Sequence, residues 1–279
     1  MSHTYEDRLI RVLHYIHDHP DGDLSLDTLA DVAAMSRFHW HRVYHAMTGE
    51  TCAQTVRRMR LHRAAGRLVR EDTPVERIAH GCGYDNVKSF AHAFRSTYGL
   101  TPAAFRKSGR LDAPALTLRE KGHLMHPIDI RDMPARQVIG IPHIGPYMTI
   151  GKAFEELGAR LASRGLFAQC GPVLAIYRDD PSAVPEDQLR SLAGAEWRGA
   201  DLPEGFDPDT IPASRAAVMT FKGPYAQIKS GYDQLYGSWL PESGEEPGDG
   251  PCYEIYLNDP RTTPPEELLT EICLPLAPR

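Results

Sequence analysis

The sequence predicts a two-domain chain. The first half is an all-α domain with two helix-turn-helix units. The second is an α+β domain made of two strand-helix-strand repeats with pseudo-two-fold symmetry. Three observations predict this. Apolar residues recur at helical spacing up to about residue 110, and period-two alternation sets in only from Pro127. A length of 279 residues suits two domains, each able to bury its own core. The charge divides near the same point: residues 1–112 carry 16 Lys and Arg against 13 Asp and Glu, whereas residues 113–279 carry 15 against 24. The expected organisation is 1–110 for the helical domain, 111–126 for a weakly periodic linker and 127–279 for the repeat domain.

Composition excludes several classes. With 42% hydrophobic and 24% charged residues the chain reads as globular. No apolar run approaches the ~20 residues of a membrane span. The opening Met1-Ser2-His3-Thr4-Tyr5-Glu6-Asp7 lacks an apolar signal core, so a cytoplasmic protein with no membrane partner is expected. Cys52, Cys82, Cys170, Cys252 and Cys273 are scattered, odd in number and form no C-x-x-C, which disfavours a disulfide framework and a zinc finger.

Leu9, Val12, Leu13 and Ile16 mark the first helix, which ends at His19-Pro20-Asp21-Gly22. Ser25 is the expected N-cap of the next, with Leu26, Leu29, Ala30 and Ala33 as its buried stripe. After a break at Ala34-Met35, Ser36 caps a helix that stops at Gly49. The pattern then recurs. Thr73-Pro74-Val75-Glu76 reads as a capping box with Pro at the first helical position, and Val75, Ile78 and Ala79 face inward. Gly81 and Gly83 break the chain, and Asn86 caps a helix with Phe90, Ala93 and Phe94 inward and Gly99 as terminator. Between the pairs, residues 51 to 69 form one amphipathic helix. Leu61, Ala64, Ala65 and Leu68 make its inner stripe, and Arg57, Arg58, Arg60, Arg63 and Arg67 supply its charge.

Such a helix spans roughly 28 Å, and two recognition helices about one duplex turn apart, ~34 Å, enter successive major grooves on one face of DNA. Residues 37–110 hold 14 basic against 5 acidic residues, the surplus a polyanion-binding face needs. A solvated basic face on an ordinary helical bundle is the alternative; two capped pairs and a spacer of the right length favour DNA. His41 and His45 have zinc-ligand spacing, but no Glu follows His41 as H-E-x-x-H requires, so no metal is expected.

Residues 5–107 resemble an AraC/XylS-family DNA-binding domain. The resemblance rests on Ile78-Ala79, Gly83-Tyr84, Ser89-Phe90, Phe94-Arg95, Gly99, Thr101-Pro102 and Arg106, with Arg60-Leu61, Ala64 and Leu68 matching the linker helix. By position it implies that the first recognition helix offers Arg37, Phe38, His41 and Arg42 to the groove, and the second Val87, Lys88 and His92. Arg42 suits bidentate bonding to guanine, Phe38 a thymine methyl, and Lys88 a phosphate or guanine. Ser36 and Asn86, as caps, are expected to leave helix N-terminal N–H groups free for phosphate. His92 stands where the family often has Arg, which points the second helix toward backbone positioning.

The second half contains an internal repeat. Met133-Pro134-Ala135-Arg136 through Gly145-Pro146-Tyr147 answers Ile211-Pro212-Ala213-Ser214 through Gly223-Pro224-Tyr225 at an offset of 78. The run from Gly171 to Tyr177 with Asp180-Pro181 answers that from Gly250 to Tyr256 with Asp259-Pro260 at an offset of 79. Helices are expected at 148–164 and 226–240, with Phe154 and Leu157 answering Tyr232 and Leu235. Each unit reads as strand, Gly-Pro-Tyr turn, helix, strand and a further strand. Two such units pack as a pseudo-two-fold domain with a cleft at their junction, a favoured place for a ligand. Positions shared by both copies, among them Tyr177 and Tyr256, read as turn and packing residues. Glu254 differs, since its repeat partner is Ala175; it lies mid-strand on the same face as Tyr256. An acidic residue on an inner strand is costly unless paired or functional, a solvent-reached rim position being the alternative.

From about Pro127 to Leu276 this half resembles a GyrI-like (SbmC-type) effector-binding domain, on its duplicated Gly-Pro-Tyr units. Together with the first half it matches the arrangement of Rob-like regulators. The resemblance implies a sequence-specific, double-stranded-DNA-binding transcription regulator that senses a small aromatic or cationic effector, as multidrug sensors do. It places Glu254 in the pocket, with Tyr147, Trp197, Tyr225, Trp239 and Tyr256 as candidate walls. A carboxylate among aromatic rings suits a lipophilic cation through Coulomb and cation–π attraction. Some GyrI-like domains resemble hydrolases of reactive electrophiles, in which the same Glu would act on water as a general base. No Ser/His/Asp or Cys/His spacing supports another catalytic class, no catalytic residue is assigned, and no cofactor is implied. A third alternative is a constitutive DNA binder whose second domain contacts RNA polymerase or another protein.

Overall fold

The computed structural model describes residues 4–109 and 126–278; the expected linker at 111–126 lies almost wholly outside them. The described chain divides into two compact units. One takes in 4–35 and 48–109, and the other takes in 36–47 and 126–278. Residues 36–47, nearly the whole of one predicted recognition helix, therefore group with the repeat domain.

The first unit is helical: α1 (Tyr5–Asp18), α2 (Leu26–Ala33), then, beyond α3 (Arg37–Thr48), α4 (Cys52–Arg70), α5 (Val75–His80), α6 (Val87–Tyr98) and α7 (Pro102–Ser108). Capping sets the boundaries. Thr4 with Asp7 and Thr51 with Gln54 form capping boxes on α1 and α4, and the Ser25 hydroxyl accepts from the Thr28 N–H at 3.3 Å. At α5 the expected box does not form. The N-cap is Pro74, and the Thr73 hydroxyl instead donates to Glu71, which also holds Arg67. Leu26, placed on the buried stripe of α2, is instead exposed. The α4 stripe is as expected: Leu61, Ala64, Ala65 and Leu68 share one buried cluster with Ile78, Phe90, Phe94 and Phe105. Arg106 donates to the Leu68 and Thr73 carbonyls, tying α7 to the end of α4. Several α4 arginines are held by the protein itself: Arg58 by Glu50, Arg60 by the Pro20 carbonyl and Arg67 by Glu71.

The second unit is one antiparallel sheet of eight strands: β1 (Ile128–Met133), β2 (Arg136–Ile144), β3 (Cys170–Tyr177), β4 (Arg190–Trp197), β5 (Asp207–Ile211), β6 (Ser214–Lys222), β7 (Cys252–Tyr256) and β8 (Leu269–Pro275). After β2 comes α8 (Gly151–Ser163). After β6 comes α9 (Ile228–Gln234), which runs through a π-helical stretch, Leu235–Trp239, into the short α10 (Leu240–Ser243). Each repeat thus opens with two strands, one more than the spacing suggested, and the first of them pairs with the other repeat rather than with its own neighbour in sequence: β1 with β6, and β5 with β2. The Gly-Pro-Tyr turns need their glycines, since φ is 129° at Gly145 and 141° at Gly223, a region that side chains avoid.

The strand order is β1-β6-β8-β7-β3-β4-β2-β5. Exchanging every strand for its repeat mate reverses that order, so the predicted pseudo-two-fold axis runs between β3 and β7. Met133 and Ile211, from the two edge strands, share one core with Leu174, Val218 and Ile255, so the sheet curls over that face. The other face packs against α8 through Leu157 and Leu161, with Ile139, Ala175 and Ala193 beneath.

Candidate functional site

The register across the axis sets the site. Ala175 of β3 pairs directly with Glu254 of β7. These two residues are also repeat mates, so the pseudo-dyad passes between them. One copy carries a methyl there and the other a carboxylate. Glu254 is 3% exposed. Its Oε1 accepts from the Tyr232 hydroxyl at 2.8 Å and its Oε2 from the Tyr256 hydroxyl at 3.0 Å. The Tyr177 and Tyr256 hydroxyls meet across the axis at 3.1 Å. Tyr147 packs edge-on to Tyr177 with ring centres 4.7 Å apart, and Tyr225 edge-on to Tyr256 at 5.5 Å. Phe154, the repeat mate of Tyr232, meets the Tyr256 ring edge-on at 5.4 Å. The result is a buried carboxylate inside a ring of aromatic side chains. Burial pushes the Glu254 carboxyl above its ordinary range, and the hydroxyls of Tyr232, Tyr256 and Tyr177 together with the charge of Arg42 pull against it.

Of the residues expected at this site, Glu254, Tyr256, Tyr147 and Tyr225 come together. Trp197 shares their face of the sheet but pairs with Cys170, five residues along β3 from Ala175, and its indole N–H donates to the Asp201 carbonyl. Trp239 is half-buried in the π-helical stretch. Among the described residues no ring contact joins either tryptophan to Glu254 or its tyrosines. Tyr177 and Tyr232 were missed as site residues. The signal for Tyr232 was present in the repeat: where Ala175 becomes Glu254, Phe154 becomes Tyr232, so the copy that gains a carboxylate gains the hydroxyl that holds it.

Helix α3 is docked within the same unit. The Arg42 guanidinium carbon lies 5.2 Å from the ring centre of Tyr232 and 5.7 Å from that of Tyr236, and its Nη2 donates to the Asp179 carbonyl at 2.9 Å. The Tyr147 hydroxyl donates to that same carbonyl. His39 is buried; its Nε2 lies 2.8 Å from the Gly250 carbonyl, so it donates there, and its Nδ1 accepts from the Tyr236 hydroxyl at 2.8 Å. Burial, aided by the charge of Arg42, lowers His39 to about 3, so the ring is neutral. His41, also buried, has its Nδ1 2.9 Å from Asp180. Burial alone would raise Asp180, but the His41 hydrogen bond and the Arg42 charge hold it well below the usual carboxylate range. Ser36 Oγ accepts from the Phe38 N–H. Arg37 remains exposed and Phe38 half-buried.

In the first unit α6 presents Asn86, Lys88 and His92 to solvent, with Val87 half-buried. Asn86 Oδ1 accepts from the N–H groups of Lys88 and Ser89, so these are already satisfied by the cap rather than left free for phosphate. Lys88, Ser89 and His92 line a groove of about 830 Å³ with Arg57 and Arg60 of α4 and Tyr84. Three of these side chains are permanent cations and the other three can each donate a hydrogen bond, a lining suited to a phosphate backbone. Among the described residues no helix is long and apolar enough to cross a membrane, and no group of three or more His, Cys, Asp or Glu side chains has a metal-holding arrangement.

Residues 126–277 match the GyrI-like small molecule binding domain, and residues 29–108 match a helix-turn-helix domain of the AraC type. A DNA gyrase inhibitor of Serratia proteamaculans is 33% identical over 140 residues, 47% of this chain and 87% of that one. The right origin-binding protein of Escherichia coli is 32% identical over 113 residues, 39% of each chain. Among solved structures, the EcmrR–DNA complex is 18% identical with a TM-score of 0.47, covering 55% of this chain and 57% of that chain. The chain belongs to the GyrI-like family, its small-molecule-binding domain joined to an AraC-type helix-turn-helix domain, and is a ligand-sensing, DNA-binding transcription regulator.

Proposed function

We propose that the effector is a small lipophilic cation, held by Glu254 and the tyrosines around it, and that DNA is read by α3 and α6. One observation carries the ligand class. A single carboxylate stands on the pseudo-dyad, 3% exposed, where the other repeat has Ala175, and a carboxylate set among aromatic rings is complementary to a lipophilic cation. Lys88 and His92 on α6 take the phosphate backbone with Arg57 and Arg60, and Asn86 and Val87 lie at the helix start that approaches the groove. From α3, Ser36, Arg37, Phe38, His41 and Arg42 supply the other set of contacts.

Calorimetry with tetraphenylphosphonium and its uncharged isostere tetraphenylmethane, solubilised identically, tests the ligand class. The cation binds and the isostere does not. In Glu254→Gln, which keeps the shape and an acceptor for the tyrosine hydroxyls, affinity falls about 10- to 100-fold, the worth of about 1.5–3 kcal/mol for one charged partner. Equal binding of both compounds, or unchanged affinity in the variant, removes the reading. The raised proton affinity of Glu254 favours a second reading, in which it takes a proton from water in a hydrolysis. Turnover of a reactive ester or epoxide that disappears in Glu254→Gln would select that reading instead.

A further inference from the structure

We propose that Arg42 is a built-in occupant of the effector cage. Its guanidinium stands in for the cationic ligand, so that ligand binding and the release of α3 are one competition. This rests on the cage reading above and adds its regulation.

The same ring, Tyr232, does two jobs. Its hydroxyl donates to Glu254 at 2.8 Å, and its face carries the Arg42 guanidinium 5.2 Å from the ring centre. Tyr236 provides a second face at 5.7 Å. The Asp179 carbonyl accepts from Arg42 and from Tyr147, an expected cage wall, so the cation is joined to both sides of the site. A buried carboxylate needs a nearby positive charge. Arg42 is the cation that faces Glu254 from α3, and an aromatic cation entering the cage would need the tyrosine faces it covers. Two cations cannot share that desolvated place.

The seat is built to hold the whole helix. His39 bonds Tyr236 and the Gly250 carbonyl, and His41 bonds Asp180. His41 and Arg42 are also the residues the AraC-type resemblance assigns to the DNA groove, and here they are engaged inside the second unit. A cation that displaces Arg42 frees both. By reciprocity of linked equilibria, DNA that captures α3 also opens the cage and tightens ligand binding.

Three proteins, each full length, test this with tetraphenylphosphonium: wild type, Arg42→Ala and His39→Ala. Arg42→Ala removes the internal cation, and His39→Ala leaves it in place but cuts two of the hydrogen bonds that hold α3. Both are expected to bind the probe at least tenfold more tightly than wild type. In wild type, saturating probe should accelerate amide exchange across residues 37–48. Thermal melts taken in parallel identify any variant that has lost its fold, in which case the wild-type exchange measurement decides alone. Binding to wild type with unchanged exchange in α3, or equal or weaker binding in both folded variants, overturns the competition while leaving the cage intact. No binding by any of the three proteins overturns the cage itself.

Discussion

Acidification should release α3 within the second unit, or unfold that unit, through His39, by an amount the structure allows to be worked out. His39 is 1% exposed, and its pKa is lowered from 6.5 to about 3 by burial. A histidine with a depressed folded pKa binds its proton more readily once released. Between pH 6.5 and about 3 the released state therefore carries more protons, and stability rises with pH across that window and is lost as pH falls through it. From pH 7 to pH 5 the loss from this one group is about 2 kcal/mol, and the next unit down to pH 4 costs about 1.3 kcal/mol more. Urea midpoints at pH 7, 6 and 5 for wild type and His39→Gln measure it, because the other titrating groups of the unit, Glu254 and Asp180 included, are common to both proteins. The wild type should lose about 2 kcal/mol more than the variant over that range. The ring proton resonance of His39 should show no titration between pH 8 and 5 while the protein stays folded. Parallel losses in the two proteins, or a His39 resonance that titrates near pH 6.5, would refute the reasoning.

Lys88→Ala should weaken binding to all DNA sequences alike and reduce the slope of log affinity against log salt by about 1, as filter binding at several salt concentrations would show; a change confined to one sequence would mean that Lys88 reads a base. Leu61→Ala, at a position 0% exposed in the first unit, should destabilise that unit by about 2–5 kcal/mol in urea melts. Ala175→Glu puts a second carboxylate directly opposite Glu254; it should lower the urea midpoint at pH 7.5 and recover part of the loss at pH 5.5, where one of the pair takes up a proton. A deficit independent of pH would mean that bulk rather than charge is responsible.

Much of this architecture was legible in the sequence because it is written in short-range terms. The α4 stripe of Leu61, Ala64, Ala65 and Leu68 is a helical period, and Ser25 and Asn86 announce helix starts through their own side chains. Two matching blocks implied a pseudo-dyad, and comparing the copies singled out Glu254. What local pattern could not show was which partner a polar group would find. Thr73 had the residues of a capping box, but Glu71, already drawn to Arg67, offered its hydroxyl a charged acceptor. Leu26 fits the apolar stripe by spacing, yet it sits in the first turn of α2 and stays exposed. Trp197 lies on the right face but at the wrong point along its strand, a matter of register rather than period. The seat of α3 depends on contacts such as His39 to Gly250, 211 positions apart, which no periodicity encodes.

The repeat nevertheless carried a trace of that seat. After β3 and after β7 the chain makes the same Asp-Pro turn, at Asp180-Pro181 and Asp259-Pro260. In the second copy the residue two beyond the aspartate is Arg261, which closes on Asp259 through three side-chain hydrogen bonds. In the first copy that position is Ser182. Its hydroxyl also bonds its own aspartate, but leaves Asp180 an oxygen for His41 and itself lies 3.2 Å from the His41 Nδ1. The duplication thus supplied two equivalent turns and two equivalent strand centres, and each pair diverged once. Arg261 satisfies one aspartate internally, while Ser182 leaves the other to hold a helix. Ala175 keeps one strand neutral, while Glu254 gives the other a carboxylate. Both departures from symmetry border the seat of α3: Asp180 meets His41, and Glu254 holds the Tyr232 hydroxyl whose ring carries Arg42. Restoring either by substitution, Ser182→Arg or Glu254→Ala, should therefore loosen α3 from the unit by weakening a different one of its holds, read as faster amide exchange across residues 37–48.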